Sequence, residues 1–180
     1  MAKENHTQYA ILGLLTTECR TGYSIKQMID TSLNHFWKIS YGQIYPSLKL
    51  LVDKGYASVE PQVQEGKPDK KEYTITAEGQ RVLREWIQEP VQQLPVEKNE
   101  LLLKLFFSRN QDVQDTLDHL EAYREKLTDR YNTYLGIQEM INTQLIEQAD
   151  APFWLITLDY GIRITLAAID WCDETKKTLS

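Results

Sequence analysis

A chain of 180 residues can bury a core of its own without disulfides. Its two cysteines, Cys19 and Cys172, lie far apart with no Cys-x-x-Cys and no histidine at ligand spacing, which argues against a metal centre or redox pair and for reduced thiols in the cytoplasm. The net charge of -6 argues mildly against nucleic-acid binding, so its distribution carries more information than its sum.

The apolar part of MAKENHTQYAILGLL is too short for a secretory signal. Within it, QYAILGLLTTE is dense enough in apolar residues to predict a buried helix ending near Cys19 and Arg20, ahead of Thr21-Gly22. A second helix is expected over GYSIKQMIDTSLNHF, with Ile25, Ile29, Leu33 and Phe36 on one face. The third, ISYGQIYPSLKLLVDKGY, opens on the capping-box pair Ser40 and Gln43, places Tyr41, Ile44, Leu48 and Leu51 on one face, and stops at Gly55. Pro46 sits inside its second turn, where it removes a backbone donor and frees the Gly42 carbonyl. Nearness to the N-terminus makes it tolerable, and a bent or tightened first turn is the expected result.

Two β-rich runs follow, YASVEP and EYTIT, joined by the polar QVQEGKPDKK, and these predict a hairpin with a long charged tip. A fourth helix, AEGQRVLREWIQE, takes Thr76 as its N-cap. Pro90 and Pro95 then bracket QEPVQQLPVEK, which divides the chain into domains 1–89 and 96–180. The first 89 residues hold 11 Lys and Arg against 11 Asp and Glu; by subtraction the remainder holds 9 against 15, so all the net acid is in the second half. From Lys38 to Lys71 six lysines face four acids.

Beyond the boundary, NELLLKLFFS predicts a short apolar helix. Residues 111 to about 148 predict one long helix, whose stripe of Val113, Leu117, Leu120, Leu127, Tyr131, Tyr134, Ile141 and Leu145 has Arg124 and Gln138 in its polar slots. A stripe of that length needs a partner, from the last helix or from a second chain. The last helix, about 152–174, reads as apolar nearly all round, from Phe153 to Trp171. Asp159, Arg163 and Asp170 interrupt it, so it is expected to lie within a homodimer interface rather than a membrane, with Gly161 allowing close helix approach. The resulting fold class is mainly α with a small β-hairpin: a winged helix-turn-helix domain followed by a helical dimerisation domain. In that arrangement the third helix enters the major groove and the hairpin lies along the backbone beside it.

YAILGLL, SYGQIYPSLKLLVDKGY and EGKPDKKEYTIT, in order across residues 9–79, closely resemble the signatures of the PadR family of bacterial transcriptional regulators. The long second half is similar to the larger members, which carry a sizeable dimerisation domain. The resemblance implies a homodimeric DNA-binding regulator, by default a repressor, on a palindromic double-stranded operator. It also implies a small aromatic effector, since members sense phenolic acids or planar drugs. One departure is in the wing: where the family often has G-R-P-R-K, this chain has Gly66-Lys67-Pro68-Asp69-Lys70.

The residues expected at DNA are Ser40, Tyr41, Gln43, Tyr45 and Lys49 on the third helix, and Lys67, Lys70 and Lys71 in the wing. Each also has a plainer role: Ser40 and Gln43 cap the helix, Tyr41 packs in the core with Ile44 and Leu48, and the lysines keep a surface solvated. Tyr45 lies off the core face and is the better contact of the two tyrosines. Trp86, Trp154, Tyr160 and Trp171 are the aromatics from which an effector pocket could be built, with core packing as the alternative, and Arg163 is the one cation placed for a carboxylate. His6, His35 and His119 are scattered and read as surface residues. No catalytic motif is present, which predicts no enzyme activity, cofactor or metal. The rival reading is a protein-interaction module on a winged-helix scaffold that does not bind DNA.

Overall fold

The structure is a computed structural model and describes residues 6–62, 70–94 and 97–179. It divides into two compact units, Met1–Leu94 and Pro95–Ser180.

The first unit is a winged helix-turn-helix: α1 Thr7–Leu14, α2 Gly22–Thr31, α3 Tyr41–Asp53, β1 Ala57–Gln62, β2 Lys70–Ile75 and α4 Ala77–Gln88. Ile11, Leu12, Ile25, Ile29, Leu48 and Leu51 are fully buried at its centre, each contributing about 1.5–3 kcal/mol of apolar transfer. α1 stops earlier than its apolar density predicts. Its last carbonyls, of Gly13 and Leu14, accept the hydroxyls of Thr16 and Thr17 at 2.6 and 2.7 Å, so side chains compete with a further helical turn. α2 likewise ends at Thr31. The Thr31 and Ser32 hydroxyls bond back to α2 carbonyls, Ser32 leaves helical dihedrals, and a short 3-10 turn over Leu33–His35 follows. Phe36, expected on the packed face, is consequently exposed.

α3 ends as its glycine predicts. Gly55 has φ +72°, the Tyr56 N–H donates to the Leu51 carbonyl at 2.8 Å, and the Gly55 N–H donates to Val52 at 2.9 Å. Thr76 joins this terminus to α4: its hydroxyl donates to the Gly55 carbonyl at 2.7 Å and accepts from the Gly79 N–H at 3.0 Å. The strands pair antiparallel from Ala57 with Ile75 to Gln62 with Lys70. Pro61 is accommodated because each strand of a two-stranded sheet has a free edge.

The second unit contains α5 Glu100–Phe106, α6 Val113–Met140, continued by a π-helical turn over Ile141–Leu145, and α7 Ala151–Leu179. Asn99 caps α5, accepting from the Leu102 N–H at 3.3 Å. Three contacts define an antiparallel α6–α7 pair: Lys176 with Glu121, Arg124 with Asp173 at 2.6 Å, and the Tyr134 ring beside Gly161. Arg124 thus fills the polar slot in the α6 stripe by pairing across the helices. A Cβ at Gly161 would lie 3.1 Å from the Tyr134 ring, so the close approach this glycine allows is to α6 of its own chain. Within the α6 stripe Leu120, Leu127, Tyr134 and Ile141 are buried, whereas Val113 is exposed.

α7 does not bury all its faces in the single chain. Ile162, Thr165 and Cys172 are buried, while Phe153, Ile156, Tyr160, Ile164 and Trp171 recur at helical spacing on an exposed side. By length and hydropathy alone α7 could cross a membrane, but one face is already covered by α6 and Asp159, Arg163 and Asp170 lie along it. Cys19 and Cys172 are both free and buried, and burial pushes the Cys172 thiol above its ordinary pKa. Neither is therefore expected to react with a thiol reagent at neutral pH until the fold opens. Titration with a chromogenic disulfide, with and without denaturant, checks this; rapid modification of the native protein would contradict it.

Candidate nucleic-acid interface

The α3 sequence makes two faces. Ile44, Ser47, Leu48 and Leu51 are buried, and Tyr41, Gln43, Tyr45, Pro46 and Lys49 are exposed. The helix continues through Pro46, and its first turn is held by Gln43, whose Oε1 accepts the Ser40 N–H at 3.0 Å and the Ser40 hydroxyl at 2.9 Å. Both residues named as DNA contacts therefore serve first as a cap. A bidentate Gln43–adenine pair requires that oxygen to leave Ser40.

Tyr45 is 62% exposed, yet the end of its ring lies over Gly22 at the start of α2. A Cβ at Gly22 would meet its Cε1 at 2.7 Å and its Cζ and Oη at 2.8 Å, so glycine there is what lets Tyr45 lie across α2. Below it the buried Tyr73 phenol is pushed above its ordinary pKa, chiefly by desolvation and then by the neighbouring Tyr45. The Tyr73 N–H donates to the Arg20 carbonyl at 2.7 Å, tying β2 to the segment that leads into α2.

Tyr41 departs from the core-packing role that the sequence offered it, since it is 52% exposed. Its hydroxyl donates to Asp30 Oδ1 and Oδ2 at 2.7 and 2.8 Å, a bond to a carboxylate that raises the phenol pKa. Lys26 places its ammonium 4.2 Å from the Tyr41 ring centroid. Lys26 and Asp30 were not singled out by sequence; only the packing of α2 on α3 brings them to this site.

In the wing, Lys71 is exposed on β2 opposite Pro61, and Lys70 is placed by its backbone pairing with Gln62. Lys67 lies outside the described residues. Among the described residues no group of His, Cys, Asp or Glu could hold a metal ion.

The four aromatic residues expected at an effector are divided between the two units, Trp86 in the first and Trp154, Tyr160 and Trp171 in the second. Trp86, in the first unit, stacks on Tyr9 at 4.7 Å with the rings 4° from parallel. His6 lies 6.0 Å from Trp86 and 5.8 Å edge-on to Trp37. The surface reading of His6 is thus wrong: it is partly buried in an aromatic cluster, and its Nδ1 has no hydrogen-bond partner among the described residues. In the second unit Trp154, Tyr160, Arg163 and Trp171 extend along about 25 Å of α7 at 1.5 Å per residue. Arg163 donates to Asp159 at 2.7 Å, which holds it firmly protonated and engages the cation that the sequence offered for a carboxylate.

Residues 11–85 match the Transcriptional regulator PadR-like family, and residues 97–180 match the Virulence activator alpha C-term family. The crystal structure of Bacillus subtilis PadR in complex with operator DNA is similar to this fold with a TM-score of 0.86, at 26% identity over 97% of this chain and 99% of that one. The structure of the Bacillus protein in complex with p-coumaric acid has the same fold, with a TM-score of 0.81 at 24% identity over 99% and 98% of the two chains. In sequence, the negative transcriptional regulator PadR of Bacillus subtilis is 35% identical over 155 residues, 83% of this chain and 84% of that protein. With identity at that level running through the winged helix and on into the helical half, the chain belongs to the PadR-like family of transcriptional regulators.

Proposed function

We propose that the protein is a cytoplasmic homodimeric repressor that binds a palindromic operator through α3 and the wing. The observation that carries this is the open face of α3, where Gln43, Tyr45 and Lys49 stand clear of a packed Ile44–Leu48–Leu51 side. The Bacillus relative, seen with operator DNA, supports the same use of the head. In this reading Gln43 and Tyr45 face base edges, Ser40 meets the backbone at the helix N-terminus, Lys49 reaches a phosphate from one turn beyond Tyr45, and Lys67, Lys70 and Lys71 neutralise phosphates along the wing. Two heads would address half-sites roughly 34–36 Å apart, one turn of duplex.

The exposed stripe of α7 supports dimerisation through the second unit. A small aromatic ligand is the proposed effector, by analogy with the p-coumaric acid complex of the Bacillus protein. Trp154, Tyr160 and Trp171 are the α7 residues such a ligand would meet, and it would act by binding one arrangement of the two heads better than the other.

A gel shift with the upstream region of the protein's own gene, titrated with salt, tests the DNA reading. Affinity is expected to fall steeply, with a log–log slope set by the phosphates neutralised, and to fall again on adding p-coumaric acid. No shift at about 50 mM salt would leave a winged helix that serves as a protein-interaction scaffold.

A further inference from the structure

Lys26 and Asp30 are spaced i and i+4 on α2, where opposite charges ordinarily pair directly. Tyr41, the first residue of α3, stands between them instead. Its hydroxyl is committed to both Asp30 oxygens at 2.7 and 2.8 Å, and the Lys26 ammonium covers one face of its ring at 4.2 Å from the centroid. Asp30 is itself fixed by the Asn34 amide, which donates to Oδ1 at 3.1 Å, while Asn34 Oδ1 accepts the Ile39 N–H at 3.4 Å just before the α3 cap. The carboxylate is therefore held from α2, from the following turn and from α3 together. Among the described residues Lys26 has no ion-pair partner.

A phenol whose proton is committed to a carboxylate is a poor phosphate donor. What Tyr41 has to offer is the edge and second face of a ring that is half exposed, and these suit a thymine methyl or a deoxyribose. The charge beside it has the opposite effect on the backbone: any register that brings a phosphate against Asp30 is disfavoured. Repulsion of that kind confers specificity as much as attraction does.

We propose that Asp30 is a specificity-determining positioning residue, which fixes Tyr41 for one base contact and repels phosphates in wrong registers, while Lys26 supplies a phosphate contact in the correct one. This rests on the DNA-binding reading above. Lys26 is exposed and needs to give up only a ring contact to reach a phosphate.

The test uses the full chain and two duplexes: the best site recovered by the wild-type protein from a randomised pool, and a scrambled version of that site. Anisotropy titrations at several salt concentrations give both affinities. Asp30→Asn should tighten binding to the scrambled duplex and reduce the ratio of the two affinities about tenfold. Asp30→Glu should restore weak scrambled binding. Tyr41→Phe keeps every charge, so it should weaken only the recovered site, severalfold. Lys26→Gln should weaken both duplexes and lower the log–log salt slope by about one. An unchanged ratio in Asp30→Asn, or a Tyr41→Phe loss shared equally by both duplexes, overturns the inference while leaving DNA binding intact. Failure of the wild-type protein to enrich any sequence overturns both. All three positions are exposed, and unchanged melting curves should confirm that the variants fold.

Discussion

Gly79→Ala will unfold the head under conditions in which the wild-type head is intact, although alanine is normally the better helix former by about 1 kcal/mol. A Cβ at Gly79 would lie 2.0 Å from the Tyr56 carbonyl oxygen and 2.9 Å from both its carbon and Ile75 Cγ1. The backbone it meets cannot move away cheaply. The Tyr56 carbonyl accepts the Thr76 N–H at 3.0 Å, and the Tyr56 N–H completes the α3 terminus on Leu51 at 2.8 Å. Relieving the clash means breaking the bonds that join α3, β1 and α4, at about 1 kcal/mol each, on top of roughly 1–3 kcal/mol for overpacking. The expected total, about 3–5 kcal/mol, is a large share of a typical domain's ~5–15 kcal/mol. Urea unfolding followed by circular dichroism measures it, and operator binding should be lost in parallel because α3 is positioned by the same bonds. Gly136→Ala is the control. Nothing lies within 4 Å of its added Cβ, and it should be neutral or stabilise α6 by up to about 1 kcal/mol. Equal stability of Gly79→Ala and the wild-type protein would show that the contact at Tyr56 yields more easily than its hydrogen bonds imply.

Nothing in AEGQRVLREWIQE points to that glycine, because the atom that excludes a side chain belongs to Tyr56, on the far side of the wing. The same distinction runs through the rest of the molecule. Features set by neighbours in the chain were legible: the Ser40–Gln43 cap, the Gly55 terminus, the Thr76 cap, and the Ile44, Leu48 and Leu51 face. So was the order of elements, since each has its own periodicity. Features set by packing were not. Helical period placed Tyr41 among the buried residues of α3, but the first turn overhangs the core and meets α2, where Asp30 offers a stronger partner than an apolar contact. Gly22 reads only as the first residue of the second helix, and its close approach to Tyr45 appears only in three dimensions. His6 and Trp86 come from opposite ends of the first unit, and spacing along the chain cannot show that they share a cluster. For α7, composition marked the helix as apolar on several sides without saying that one chain covers only one of them.

That uncovered side leads to the second large effect: Ile156→Glu together with Ile164→Glu should yield a folded monomer that binds the operator at least about a hundredfold more weakly. Phe153, Ile156 and Tyr160 are 67%, 67% and 69% exposed, and with Ile164 and Trp171 they form a continuous stripe about 27 Å long on α7. An exposed apolar strip of that length is costly to leave in water, and the Asp159–Arg163 pair lies beside it as a polar rim would beside an interface. Carboxylates at two of its central positions would be carried by both protomers of a symmetric pair and desolvated in its apolar seam, so they oppose dimerisation. They should not disturb the fold. The α6–α7 contact uses the other side of the helix, around Ile162, Thr165 and Cys172, and it retains the Arg124–Asp173 bridge. Loss of the dimer turns recognition of two half-sites into two independent events, and the linkage given up is worth about 10²–10⁴ in affinity. Sedimentation equilibrium and anisotropy on the same samples separate the possible results. A monomer with weak binding and an unchanged melting curve supports the stripe as the dimer face. A variant that stays dimeric and binds normally would show that the protomers join through another surface, with the exposed Leu102, Leu103 and Phe106 of α5 and the adjoining Phe107 as the next apolar group to test.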